Sequence, residues 1–258
     1  MTHGSHWECI VEDVEDFFEN NFEKIVQDSI IIEEMEVHGH NIATEKKQNN
    51  TIHTLLYPLK ESVPYSMLTQ IVNKQLWTSY PVVNFGMEHE IIITAIRDEG
   101  NFVEARISCK LKDHPDFTFT FFDTMFYKNK SHYSVGETYA FYFSGMMYGG
   151  GANQFVDTKV PGIDDISDIF IDKDTVAFVA NEDADIDDYK IMSPLLSIEE
   201  FTHDFGKKIY KINILLLKDD VDFSIPVLLA EQNIKDGFVP KVGESINGSL
   251  WLCGTMVP

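Results

Sequence analysis

Between Glu90 and Phe143 the chain repeats one pattern, and that pattern constrains the fold more than any other feature. Glu90–Ile96 is a β-branched apolar run that ends in the turn residues Asp98-Glu-Gly-Asn101. In Phe102–Leu111, Val103, Ala105, Ile107 and Cys109 alternate with Glu104, Arg106, Ser108 and Lys110. Asp113-His-Pro-Asp116 turns the chain, and Phe117, Phe119 and Phe121 then alternate with Thr118 and Thr120. Val135-Gly136-Glu137 opens a further strand through Tyr139–Phe143. A period of two puts successive side chains on opposite faces, so these runs read as half-buried antiparallel strands joined in a meander.

The flanking segments are more varied. Trp7–Gln27 reads as an amphipathic helix with Ile10, Val14, Phe17, Phe18, Phe22 and Ile25 on one stripe. Glu8, Glu12, Asp13, Glu15, Asp16, Glu19 and Glu23 occupy much of the remainder. This is either a solvated face or an acidic docking face. Ser29–Val37 and Thr51–Leu59 read as an antiparallel pair with a long connection. Pro64–Trp77 reads as a second helix, with Pro at its start and Met67, Ile71 and Leu76 near one face. Pro81 breaks the pattern.

Downstream, Gly149–Gly151 reads as a loop. Asp157–Asp188 is rich in aspartate but contains a strand candidate at Thr175–Ala180, and Ile198–Asp204 reads as a short helix capped by Ser197. Lys208–Leu217 and Val221–Ala230 read as a strand pair, and Ser245–Val257 as the last strand. The 19 Phe and 10 Tyr also suit pleated sheet.

Two segments are alike beyond composition. Val135-Gly136-Glu137-Thr138 and Val242-Gly243-Glu244-Ser245 each precede a strand that carries glycine, and each follows two apolar strands. A strand pair, a connection and a Val-Gly-Glu turn into a final strand resembles five-stranded OB-like barrels; common turn chemistry in β proteins is the alternative. The expected architecture is α+β and predominantly antiparallel sheet, with an N-terminal amphipathic helix and two OB-like units. Residues 1–80 form a helix-and-strand portion, 81–155 the meander, and 156–258 a second β-rich unit that repeats the first. No residue pattern identifies a known family.

Charge narrows the function. Lys and Arg total 20 against 42 Asp and Glu, a formal charge of −22. Such a field repels phosphate backbones and anionic lipid, so direct nucleic-acid or membrane binding is not expected. It suits either simple solubility or a basic protein partner whose approach it would steer. Cys9, Cys109 and Cys253 are too few and too widely spaced for a disulfide framework or a zinc site and read as small buried hydrophobes. The N-terminus lacks the basic-then-apolar pattern of a secretory signal, and no run is long enough to span a membrane, so the expected compartment is cytoplasmic. The sequons at Asn49, Asn129 and Asn247 then carry no meaning.

No motif of catalysis is present. HExxH, GxSxG and close Cys-His pairing are missing. His38-Gly-His40 lacks a third ligand at metal spacing, and Gly145–Gly151 lacks the Lys and the helix of a phosphate loop. Asp183-Ala-Asp185-Ile-Asp187 begins like an EF-hand but has Asp188 and Pro194 where Gly and Glu are required, which leaves only a looser cation site. No cofactor and no metal are expected. The residues singled out for partner binding are Glu12, Asp13, Glu15, Asp16 and Glu19, then Asp164, Asp165, Asp168, Asp183, Asp185, Asp187 and Asp188. The expectation is a non-catalytic protein-binding module, in its most specific form an inhibitor or immunity protein for a basic toxin. The alternatives are a small-molecule or metal-dependent enzyme with a site assembled from distant residues, and a structural subunit of a larger assembly.

Overall fold

The computed structural model describes residues 4–40, 47–57, 64–99, 104–152, 174–202 and 208–258. Its secondary structure is mostly β-sheet, arranged as one antiparallel and one mixed sheet. The chain divides into two compact units, Met1–Asn84 with Phe201–Lys207, and Phe85–Glu200 with Lys208–Pro258.

In the first unit, the helix expected over Trp7–Gln27 is two pieces. A 3-10 helix spans Gly4–Cys9, and an α-helix, α1, spans Val14–Asp28. The break between them is set by Asp13, which is extended and whose carboxylate accepts from the Asp16 amide at 2.9 Å. That is an N-cap, so the α-helix cannot begin earlier. Trp7 is fully buried, donates its indole N–H to the Ser79 carbonyl at 3.0 Å, and stacks on Phe17 of α1. Phe17 and Ile25 are the buried side chains of α1.

Four strands follow in an antiparallel meander: β1 (Ile30–His40), β2 (Lys47–Tyr57), β3 (Tyr65–Val72) and β4 (Gln75–Val83). The helix expected over Pro64–Trp77 is in fact the β3–β4 hairpin. Asn73 and Lys74 take φ of 51° and 67°, the left-handed pair that a two-residue hairpin turn requires. Asn73 also exchanges hydrogen bonds with Thr51, accepting from its amide at 3.1 Å and donating to its carbonyl at 3.0 Å. Tyr65–Gln70 are all buried, so β3 shows no alternation and its apolar residues imitate helical spacing.

Among the described residues, the second unit holds nine strands. These are β5 (Met87–Asp98), β6 (Ala105–Leu111), β7 (Thr118–Asp123), β8 (Thr138–Ala152), β9 (Ala177–Ala180), β10 (Asp188–Thr202), β11 (Lys208–Leu217), β12 (Phe223–Ala230) and β13 (Ser245–Met256). A short helix, α2 (Phe126–Asn129), runs into a 3-10 turn before β8, and a 3-10 turn at Glu231–Asn233 precedes β13. The strand order is β11-β12-β8-β5-β6-β7-β13-β10-β9, with further pairings β11–β10 and β8–β13. Two rings of pairing therefore share the β8–β13 seam. One runs β5-β6-β7-β13-β8 and the other β10-β11-β12-β8-β13. The strands β5 to β8 and β9 to β13 thus lie in one hydrogen-bonded sheet.

The glycines expected to form a loop at Gly149–Gly151 lie inside β8, in the seam. A Cβ on Gly248 would meet the Gly149 carbonyl oxygen at 2.0 Å, and one on Gly145 would meet Leu250 at 2.5 Å. At Gly248 the glycine serves close backbone approach across the seam. The helix expected over Ile198–Asp204 is also corrected: its residues through Thr202 belong to β10. The core of the second unit is one apolar cluster, with Ile91, Ile107, Phe119, Phe121, Phe141 and Phe143 packed together with Ile212, Ile214, Val227, Leu250 and Leu252. Each such side chain taken from water contributes about 2 kcal/mol before chain entropy is set against it.

Candidate functional site

The first cluster of expected binding residues surrounds the start of α1. Glu12, Asp13, Glu15, Asp16 and Glu19 are all exposed, as is Glu23 one turn further on. The inward-facing Phe17 and Ile25 fix which side of the helix meets the sheet and leave these acids outward. Two of them have local duties: Asp13 caps the helix, and Asp16 accepts from the Asn20 side-chain amide at 2.9 Å. Carboxylates in the first turn are favoured by the positive end of the helix dipole. One cation, Lys24, lies among them.

The second cluster lies in the turn from β9 to β10. Asp188 N–H donates to the Asp185 carbonyl at 2.9 Å, and Asn181 N–H donates to the Asp188 carbonyl at 3.0 Å, which fixes the turn. Asp183 and Asp185 are exposed, whereas Asp187 and Asp188 are buried. Asp187 has both oxygens engaged. Oδ1 accepts from Arg106 Nε at 2.6 Å, and Oδ2 accepts from the Trp251 indole N–H at 2.9 Å. Arg106 Nη2 donates to Asp185 at 2.8 Å, and Nη1 donates to Glu99. Asp164, Asp165 and Asp168, the rest of the expected set, lie outside the described residues.

The chemistry of this second cluster follows from its cation. Burial alone would lower the Arg106 pKa, but the charges and hydrogen bonds of Asp187, Asp185 and Glu99 raise it above its ordinary value. The guanidinium is thus permanently charged and held by three carboxylates in a planar fork that suits it. A metal ion bound through Asp185 and Asp187 would have to displace it. Asp188, next in the chain, is pushed up to about 7 by burial and by the neighbouring charge of Asp187, against a hydrogen bond from Tyr148.

A third ionisable group was not foreseen. Asp123, at the end of β7, is fully buried and pushed up to about 7 by that burial. It accepts from the Tyr133 hydroxyl at 2.6 Å and from the Met125 amide at 3.0 Å, and so ties the start of α2 and the segment before β8 to β7. His89 has its pKa lowered by burial, with its ring nitrogen 2.9 Å from the Ser224 carbonyl and its ring edge-on to Phe223.

Among the described residues, no helix is long and apolar enough to cross a membrane. Comparison of the chain with family models, curated proteins and solved structures finds no match in any of the three.

Proposed function

We propose that this chain is a non-catalytic, intracellular binding module whose exposed acids receive a basic protein. Its most specific form is the inhibition of a basic toxin such as a nuclease, whose phosphate-binding surface the carboxylates would occupy. One observation carries the reading: Glu12, Asp13, Glu15, Asp16 and Glu19 are exposed together around one helix start. The formal charge of −22 extends the same field over the chain. A field of this kind accelerates association with an oppositely charged partner and weakens as salt screens it. Asp183 and Asp185 add exposed acids in the second unit.

The test is affinity capture of the tagged protein from its native lysate at low and high salt. The expected result is recovery of one basic protein that is lost at high salt. An empty capture at both salts contradicts the proposal.

We also infer that residues 85–152 and 188–256 are two copies of one OB-like unit, each borrowing its fifth strand from the other. The observation behind this is the matched pairing. β5–β8 and β10–β13 are both antiparallel, while β7–β13 and β12–β8 are both parallel. In each half a short helical turn stands between the third and fourth strands.

A further inference from the structure

The four-stranded sheet of the first unit has two outer strands of different character. β4 carries Pro81, which has no amide hydrogen to offer a neighbour, and such a residue blunts an edge. β1 has no proline, and among the described residues no strand pairs with its outer side. It opens with three consecutive isoleucines, Ile30, Ile31 and Ile32, which are 44%, 58% and 37% exposed. Each leaves apolar surface in water that a docked strand would cover. The pairing of β1 with β2 shifts register between Ile31 and Glu33 and is regular beyond it.

The charges on this strand select the occupant. Glu34 and Glu36 are exposed, and exposed Glu23 and Asp28 lie on the helix that leads into β1. A second copy pairing antiparallel here would bring acids against acids, and like charges across a strand pair are destabilising. A strand of alternating basic and apolar residues meets both the carboxylates and the isoleucines.

We propose that β1 is a docking edge that adds an extended, basic segment of the partner protein as a fifth strand of this sheet. Backbone pairing supplies affinity, Ile30, on the face away from Glu34 and Glu36, receives an apolar side chain, and Glu34 and Glu36 receive Lys or Arg. The proposal rests on the basic partner inferred above and adds how that partner is held.

The test uses the full chain and two synthetic ten-residue peptides. One alternates Lys and Val; the other has the same sequence with its backbone N-methylated at alternate residues, so that it cannot pair. Amide hydrogen exchange is followed with each peptide. The expected result is that amides within Ile31–Glu36 exchange about tenfold more slowly with the first peptide and are unchanged by the second. The double variant Glu34→Lys, Glu36→Lys, checked for native circular dichroism, is expected to bind the first peptide at least tenfold more weakly. Binding of both peptides without change in β1 overturns edge docking and leaves the acidic-face reading standing. Failure of the first peptide to bind also overturns it, and salt-dependent capture then decides the broader reading alone.

Discussion

Ile93 and Leu195 make the same pair of backbone hydrogen bonds. Ile93 N–H donates to Glu137 and its carbonyl accepts from Gly136; Leu195 N–H donates to Glu244 and its carbonyl accepts from Gly243. Both Val-Gly-Glu turns hold glycine at positive φ, 94° and 81°. The likeness extends to the cations of the second strand of each ring: Arg106 on β6 reaches Asp187, just before β10, while Lys211 on β11 lies over the ring of Phe85, just before β5, at 4.7 Å. The correspondence is thus one of hydrogen bonds and neighbours as well as strand order.

That equivalence makes the turn glycines comparable. Gly136→Ala and Gly243→Ala meet no crowding but force a side chain into the left-handed region, so each is expected to cost about 1 kcal/mol. Gly248→Ala, which would drive Cβ against the Gly149 carbonyl, is expected to cost about 3 kcal/mol or more. Urea midpoints of the three variants check the ranking. A Gly248→Ala protein as stable as Gly136→Ala would mean that the seam is not as close as described.

Arg106 gives a second expectation. Removing it with Arg106→Met leaves Asp187 buried without its cation and is expected to cost about 3–5 kcal/mol. The double variant Arg106→Met, Asp187→Asn keeps an oxygen for the Trp251 indole and removes the stranded charge. It is therefore expected to be less destabilised than the single variant. Thermal or urea unfolding of the two singles and the double gives the coupling directly; additive costs would contradict a paired network.

How much of this was legible in sequence depends on whether a strand has one face in water. The runs at Glu90–Ile96 and Lys208–Leu217 stand out because β-branched and aromatic residues are dense there, and the structure has strands at each. Tyr65–Gln70, buried throughout, lost the alternation that would have separated strand from helix. Lys74 at positive φ is not a turn signal, whereas Asn-Gly would have been. β10 begins with Asp188 and contains Pro194, so its start was masked by residues that ordinarily lie in loops.

The site was obscured for the same reason. Glu104 and Arg106 read as the wet side of an alternating strand, yet Glu104 is fully buried and Arg106 is 9% exposed. A hint was available: Arg106 is one of only two arginines in a chain with 42 acids, set between apolar neighbours. The carboxylates Asp185 and Asp187 were singled out by their spacing, but nothing in the local sequence says that their cation arrives from a strand about eighty residues away.

A pH expectation follows from Asp123. Its folded pKa lies near 7 against an ordinary 3.8, so the folded state holds a proton that the unfolded state releases over that interval. Stability from this group is complete below about pH 4 and declines as pH rises through about 7. Asp188 is shifted in the same direction and adds to the slope. Asp123→Asn is therefore expected to flatten the loss of stability between those pH values, as read from urea midpoints across the range. An Asp123→Asn profile parallel to that of the unaltered chain would contradict a buried, protonated Asp123.

Whether the α1 acids receive a basic protein is decided by comparing two triple variants of equal charge. One carries Glu15→Lys, Asp16→Lys and Glu19→Lys on α1; the other carries Glu88→Lys, Asp113→Lys and Asp116→Lys, exposed acids of the second unit. Dissociation constants for the captured basic protein are measured for both and for the unaltered chain. The α1 variant is expected to lose at least tenfold in affinity and the control variant far less. Equal losses would show that only net charge matters, and no loss in either would contradict the claim.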